Sequence, residues 1–261
     1  MDQPASRRDF LKAVTALGAT ALPLAADADA PAPPAAHAAH HGARTGAGPA
    51  ADAYLFFTAA EAAFVDAALE SLIPADELGP GAREAGVGHF IDRELAGAFG
   101  AGGRTYRQGP WPEGTPEQGR QSRLTPREIY RAAIAETNGH CQSRYGRSLE
   151  ELAVERREEV LRGLESGAIV LPSTDSRAFF AMLWSNAQEG FFADPMYGGN
   201  RDKAGWRLVG FPGVAAAYID AIEKHGAAYR VEPVSIGDIQ HGRAAVDEHG
   251  HAVHVRLAEQ D

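Results

Sequence analysis

The sequence predicts a mainly α protein. It reads as an irregular helical domain of about six helices, joined by long loops rich in Gly, Pro and aromatic residues, with a weak C-terminal β-hairpin signal. Three observations carry this expectation. Apolar residues recur at three-to-four spacing in successive segments, which aligns them on one face of a helix. Helix-start patterns with a hydroxyl residue followed three positions later by Glu open several of those segments. No alternation of strand and helix patterns and no fixed-period repeat is present.

The elements follow in order. Thr58 with Glu61 forms a capping box, in which the hydroxyl accepts from an orphan amide while the carboxylate reaches back. Val65, Ala68, Leu69, Leu72 and Ile73 then make one apolar stripe, and Pro74 ends the helix. Residues 75–86 carry Pro80 and three glycines and read as a loop. Val87, Phe90, Ile91 and Leu95 mark a second helix that fades into Gly97, Gly100, Gly102 and Gly103. Residues 104–123 contain Pro110, Trp111, Pro112 and Pro116 and form a long irregular connection.

Thr125-Pro126-Arg127-Glu128 opens a third helix, with Pro at the first helical position, where its missing amide costs nothing; the helix runs to about Tyr145. Ser148 with Glu151 is expected to cap a fourth, running to Leu164 with Gly167 as terminator. Its charge run, Glu155 to Glu159, is a solvated face. Ser173, Thr174 or Asp175 caps a fifth helix, with Phe179, Phe180, Leu183, Trp184 and Ala187 toward the core. A last helix is expected from about Val214 to His225, ended by Gly226. Beyond Tyr229, Val246 and Val253-His254-Val255 flank Glu248-His249-Gly250 as a weak hairpin.

The N-terminal residues Ser6-Arg7-Arg8-Asp9-Phe10-Leu11-Lys12 fill the pattern of a twin-arginine export signal, with Arg7 and Arg8 as its pair. The weakly apolar stretch Ala13 to Leu24, broken by Gly18 and Pro23, is too short to span a bilayer, which needs about 20 apolar residues. Ala26-Asp27-Ala28 supplies small residues for cleavage after Ala28. The expected organisation is therefore a signal peptide at 1–28, a flexible Ala/Pro/His linker at 29–51, a helical domain at 52–240 and a tail at 241–261. His37, His40 and His41 are expected to be solvated linker histidines.

The net charge of −10 argues against nucleic acid, whose phosphates need basic surface, and against an anionic membrane face. Any membrane attachment would come through partners. Cys141 is the single cysteine, so this chain alone makes no disulfide, no Cys-ligated cluster and no Cys-x-x-Cys-His haem attachment. Its thiol is expected to be buried and inert.

Between the fifth and last helices lies Glu189-Gly190-Phe191-Phe192-Ala193-Asp194-Pro195-Met196-Tyr197-Gly198-Gly199-Asn200, then Gly205-Trp206 and Gly210-Phe211-Pro212-Gly213. The segment is too rich in Gly and Pro for helix or strand and too aromatic for a solvated linker. Tyr, Trp, Phe, Met and Arg are the residues enriched at interface centres. The segment resembles the signature of the gluconate 2-dehydrogenase subunit 3 family, the small subunit of membrane-associated FAD-dependent sugar and sugar-acid dehydrogenases. The leader and the helix from Phe57 to Pro74 share the resemblance, which spans residues 56–239.

That resemblance implies a complex of three parts. A glucose–methanol–choline-type flavoprotein large subunit would hold FAD and oxidise the sugar. A multihaem cytochrome c subunit would carry haem c and pass electrons to the quinone pool. The small subunit would hold no cofactor, support maturation of the flavoprotein and lend it the export signal. The expected location is the periplasm, peripheral to the inner membrane. Phe191, Phe192, Asp194, Tyr197, Asn200, Trp206 and Phe211 are the expected partner interface; no catalytic, cofactor or metal residue is assigned. One departure stands out: Ser185-Asn186-Ala187-Gln188 occupies the place where His-Thr is common in the family.

Other chemistry finds little footing. Gly97 to Gly103 lacks Gly-x-Gly-x-x-Gly and follows no strand, so it is not a phosphate cradle. His249, His251 and His254 with Glu248 offer metal-ligand types on an exposed tail. Asp194 is expected to accept amides within its own turn, and Tyr197 and Asn200 to stabilise the Gly198-Gly199 turn. The alternative is a sugar-active enzyme or sugar-binding protein using the Asp194–Asn200 loop.

Overall fold

The computed structural model describes residues 53–103, 105, 107–112, 114–115, 122–214, 223–227 and 229–257. The expected signal with Arg7 and Arg8, its linker and most of the expected Val214–His225 helix lie outside the described residues. Among those described there are seven α-helices and no strand, which is a mainly α fold.

Helix α1 (Ala59–Leu72) starts at Thr58, where Thr58 and Glu61 exchange both bonds of the capping box. Its buried side chains, Phe64, Val65, Ala68, Leu69 and Leu72, form the anticipated stripe. Helix α2 (Val87–Ala96) ends at Gly97. Helix α3 (Pro126–Tyr145) has its own capping box between Thr125 and Glu128, and Gly146 closes it in the left-handed conformation. Helix α4 (Val154–Ser166) ends at Gly167 in the same way. Helix α5 (Ser176–Phe192) is capped by Asp175, whose carboxylate accepts from the Ala178 amide. α5 is the hub of the fold, touching α1, α2, α3 and α4. Tyr130 and Phe179 meet edge to face at its centre, with ring centroids 5.5 Å apart.

Two expectations need correction. Ser148 and Glu151 do form a capping box, but it closes a 3-10 turn, Leu149–Glu151. Leu152 and Ala153 are then extended, and α4 begins only at Val154. The turn buries Leu149 against α1 before the chain restarts as helix. The segment from Glu189 onward is also not free of helix. Residues 189–192 are the last turn of α5, and a short helix α6 (Ala204–Val209) follows. Gly190 sits in the helix for packing, since a Cβ there would lie 2.8 Å from the Phe90 ring and 2.9 Å from Val87. Absence of a side chain lets α5 approach α2, which outweighs the weak helix propensity of glycine.

The tail holds a further capping box that the sequence reading passed over. Helix α7 (Ile236–Gln240) is capped by Ser235 with Asp238. The hairpin signal resolves into one antiparallel bridge, Val246 to Ala252, around Asp247–Gly250. Another antiparallel bridge joins Val231 to Arg256.

Asp92, buried on α2, ties the segment before α1 to the body. Its carboxylate accepts from the amides of Leu55 (2.6 Å), Phe56 (2.9 Å) and Phe57 (2.8 Å). Three backbone donors share one buried charge, which is how a buried carboxylate is tolerated.

Candidate functional site

The chain leaving α5 is shaped by polar ties more than by apolar contact. Asp194 caps the 3-10 turn Pro195–Tyr197: its Oδ1 accepts from the Met196 amide at 3.0 Å. Its Oδ2 accepts from the Ile236 amide at 2.7 Å, the first residue of α7. The expected within-turn bond is therefore present, together with a tie across 42 residues that no local pattern marks.

Asn200 is fully buried and left-handed, with φ 49°. Its Nδ2 donates to the Ala193 carbonyl at 2.7 Å, and its Oδ1 accepts from the Gly205 amide at 2.8 Å. The Asn200 side chain thus spans the loop from inside. Asp202 and Lys203 are left-handed too, with φ 55° and 58°. Non-glycine residues in that region cost about 1 kcal/mol or more each, so the surroundings must over-determine them. They do. The Arg201 amide donates to Ala85 O at 2.8 Å, and Lys203 Nζ donates to Pro233 O and Asp238 Oδ2, both at 2.9 Å.

Asp238 is the acceptor on which these ties converge. It also accepts from the Ser235 amide and the Arg243 guanidinium, both at 3.0 Å. Burial alone would raise its pKa. The Ser235 amide and hydroxyl, Lys203 and Arg243 outweigh that and hold the carboxyl well below the usual carboxylate range.

Trp206 anchors α6. Its Nε1 donates to the Phe192 carbonyl at 2.7 Å, and its ring meets Phe211 edge to face at 5.3 Å. Gly205 is obligatory just before it, because a Cβ there would lie 2.1 Å from the Phe191 carbonyl oxygen. Residues 212–214 pair in parallel with Val234, so the chain beyond α6 also closes on the tail.

Of the seven residues expected at the partner surface, Phe191, Asp194, Asn200 and Trp206 are buried within the chain, and Phe192 is half-buried. Tyr197 is 50% exposed and Phe211 45%. Met196 and Val209, which the sequence reading did not single out, are exposed as well. The polar atoms of Asp194 and Asn200 are engaged by backbone partners of the same chain, which makes them braces. The sequence reading also missed Asp92, Lys203 and Asp238. Only the Ser235-x-x-Asp238 spacing, a capping-box pattern, could have flagged the last.

The remaining candidates are quiet. Asn186, at the departure from the family pattern, is buried and donates to the Tyr130 hydroxyl at 2.9 Å. Burial pushes that phenol upward. Cys141 is buried, and burial pushes its thiol up to about 11. His251 lies 3.2 Å from Asp247, while the His254 ring lies against the carbonyls of Glu232 and Val214. Among the described residues no three His, Cys, Asp or Glu side chains gather as a metal site. Nor is any described helix long and apolar enough to cross a membrane.

The described residues thus form a helical body that bears a braced loop with Tyr197 and Phe211 exposed on it. The family described as Gluconate 2-dehydrogenase subunit 3 matches residues 59–213, from the first turn of α1 through the Gly-Phe-Pro-Gly at the end of the loop. This chain belongs to that family, whose name denotes one subunit of a multisubunit gluconate dehydrogenase. No curated protein and no solved structure matches it.

Proposed function

We propose that this chain is the non-catalytic small subunit of a periplasmic, membrane-associated FAD-dependent gluconate or sugar dehydrogenase. It supports maturation of a glucose–methanol–choline-type flavoprotein and, through Arg7 and Arg8, carries the twin-arginine signal that exports both chains. FAD resides in that large subunit and haem c in a multihaem cytochrome c subunit. The small subunit binds neither and meets the membrane only through these partners. The reading divides the chain into a signal at 1–28, a linker at 29–51, a helical domain at 52–240 and a tail.

The observation that carries this reading is the family match over residues 59–213 in a chain whose leader reads Arg-Arg-Asp-Phe-Leu-Lys. Exposed Tyr197 and Phe211 support the docking role, because aromatic side chains displayed on a rigid frame lose little freedom on binding.

Coexpression with the flavoprotein and pulldown tests it. Tyr197→Ala with Phe211→Ala should reduce recovery of the flavoprotein while helical content stays intact, since loss of central interface aromatics costs about 2 kcal/mol or more. Arg7→Lys with Arg8→Lys should leave both subunits in the cytoplasm. Dye-linked gluconate oxidation by the purified chain alone, or flavin bound to it stoichiometrically, would overturn the reading.

A further inference from the structure

The extended segment at residues 253–257 is paired along one edge. The Val253 amide donates to the Ala245 carbonyl at 2.9 Å, the Val255 carbonyl accepts from the Glu232 amide at 2.9 Å, and the Leu257 amide donates to the Arg230 carbonyl at 3.1 Å. Alternate residues of an extended chain aim their backbone groups at opposite edges. The amides and carbonyls of His254 and Arg256 therefore face away from residues 230–232 and 245, and among the described residues they make no hydrogen bond.

The side chains divide in the same rhythm. Val253, Val255 and Leu257 share one face and are 49%, 70% and 49% exposed. His254 and Arg256 share the other and are held by their own chain. The His254 ring meets the carbonyls of Glu232 and Val214, and the Arg256 guanidinium lies over the Tyr229 ring, 5.8 Å from its centroid. An open edge beside an aliphatic face is a template for another extended segment, and folded proteins usually guard such edges with charge or proline. Neither stands on the face formed by Val253, Val255 and Leu257.

We infer that this edge pairs with the same edge of a second copy of the chain. The pattern is its own complement. Antiparallel pairing about a two-fold axis at Val255 sets His254 opposite the partner's Arg256, and the free amides and carbonyls of both residues are then all used. Val255 faces the partner's Val255, and Val253 faces the partner's Leu257, in the closer pairs that exchange no hydrogen bond. The aliphatic side chains of both copies leave water together. Moving the register by one residue would set polar side chains against apolar ones. A different protein would need no such symmetry, which favours a second copy as the occupant. The surface lies outside the family match at residues 59–213 and uses neither Tyr197 nor Phe211, so the inference does not rest on the dehydrogenase reading.

Sedimentation of the purified chain tests it. Two facing segments this short make an interface at the small end of specific contacts, so a dimer at roughly 100 μM that dissociates by about 1 μM is expected. Val255→Lys sets two ammonium groups against each other at the axis and should weaken dimerisation roughly tenfold or more. Circular dichroism should not change, because Val255 is exposed. Cross-linking reads the register. Across the axis the two Val255 Cα atoms would lie about 4.5 Å apart, within reach of a disulfide, and the native Cys141 is buried. Val255→Cys should therefore give a covalent dimer on oxidation with diamide. Val253→Cys, displaced from its own copy by about 13 Å along the pair, should not. The inference is overturned if the chain stays monomeric at roughly 100 μM, if Val255→Lys dimerises like the unmodified chain, or if Val253→Cys cross-links as readily as Val255→Cys. A monomeric chain whose Val255→Lys variant loses the flavoprotein in the coexpression pulldown would also overturn it and assign the edge to that subunit.

Discussion

The helical body and the chain that follows Phe192 hold their shapes by different means. In the body, α1 to α5 bury side chains that need only be apolar and of the right size: Phe64, Leu69, Ile91, Leu95, Phe179 and Leu183 have almost no exposed surface. The described residues of 193–243 contribute Trp206, Val231 and Val234 to the buried apolar set, and the loop is otherwise braced by single bonds to single atoms. Asp194 reaches Ile236, Asn200 spans Ala193 and Gly205, and Lys203 joins Pro233 to Asp238. A core of the first kind tolerates exchange of one apolar side chain for another. A frame of the second kind tolerates few exchanges but can hold residues in left-handed conformations and keep aromatic groups on its outside. That difference explains how a loop with exposed aromatic side chains is held in place by interior bonds.

Four substitutions would break or sharpen this contrast. Phe179→Ala removes the partner of Tyr130 and should cost about 4 kcal/mol, lowering the thermal midpoint of the whole domain. Survival of the midpoint would mean that the body is not the principal source of stability. Gly205→Ala forces a methyl group onto the Phe191 carbonyl and should cost roughly 3 kcal/mol. Hydrogen exchange should then accelerate in 193–209 while α3 and α4 stay protected; equal loss in both would show one cooperative unit and erase the distinction drawn above. Trp206→Phe keeps an aromatic ring but loses the pyrrole part of the indole and leaves the Phe192 carbonyl without its donor, for about 1.5 kcal/mol in chemical denaturation. The indole is only 5% exposed, so the substitution reads on the frame of the loop itself.

The smallest effect, about 1 kcal/mol, is expected for Asp238→Asn, and its pH dependence is the informative part. The folded carboxyl titrates far below its unfolded value, so its contribution is complete above about pH 5. It fades as pH falls through about 4 and toward the folded pKa, as the unfolded chain takes up the proton first. The gap between wild type and variant should therefore close on acidification. A gap that widened in acid would mean that Lys203 and Ser235 do not hold the charge.

Local chemistry was legible in the sequence, and long-range chemistry was not. Thr58 with Glu61 and Thr125 with Glu128 announce their helices because both partners lie within one turn. Gly167 stops its helix for the same reason. Ser148 with Glu151 shows the limit: the bonds form as read, but they are equally compatible with a 3-10 turn, and burial of Leu149 decides between them. The phrase from Glu189 to Gly213 named the family, yet its composition hid the fact that Gly190 belongs to a helix. Phe90 and Val87 packed against it explain that residue. The acceptors Asp92 and Asp238 look in sequence like ordinary surface carboxylates. The donors to Asp92 are distant backbone amides, which have no letter of their own, and Asp238 adds the ammonium of Lys203, brought close by the fold, to its nearby Ser235 amide and Arg243 guanidinium.

The reach of Asp92 and Asp194 bears on where a recombinant fragment should be cut. The three amides that Asp92 holds belong to residues 55–57, ahead of the matched stretch, and the amide that Asp194 holds belongs to residue 236, well after it. A fragment trimmed to 59–213 would strand a charge in its interior at one end and unpin the loop at the other. Expression designs that begin before Tyr54 and extend past Arg243 keep both carboxylates satisfied.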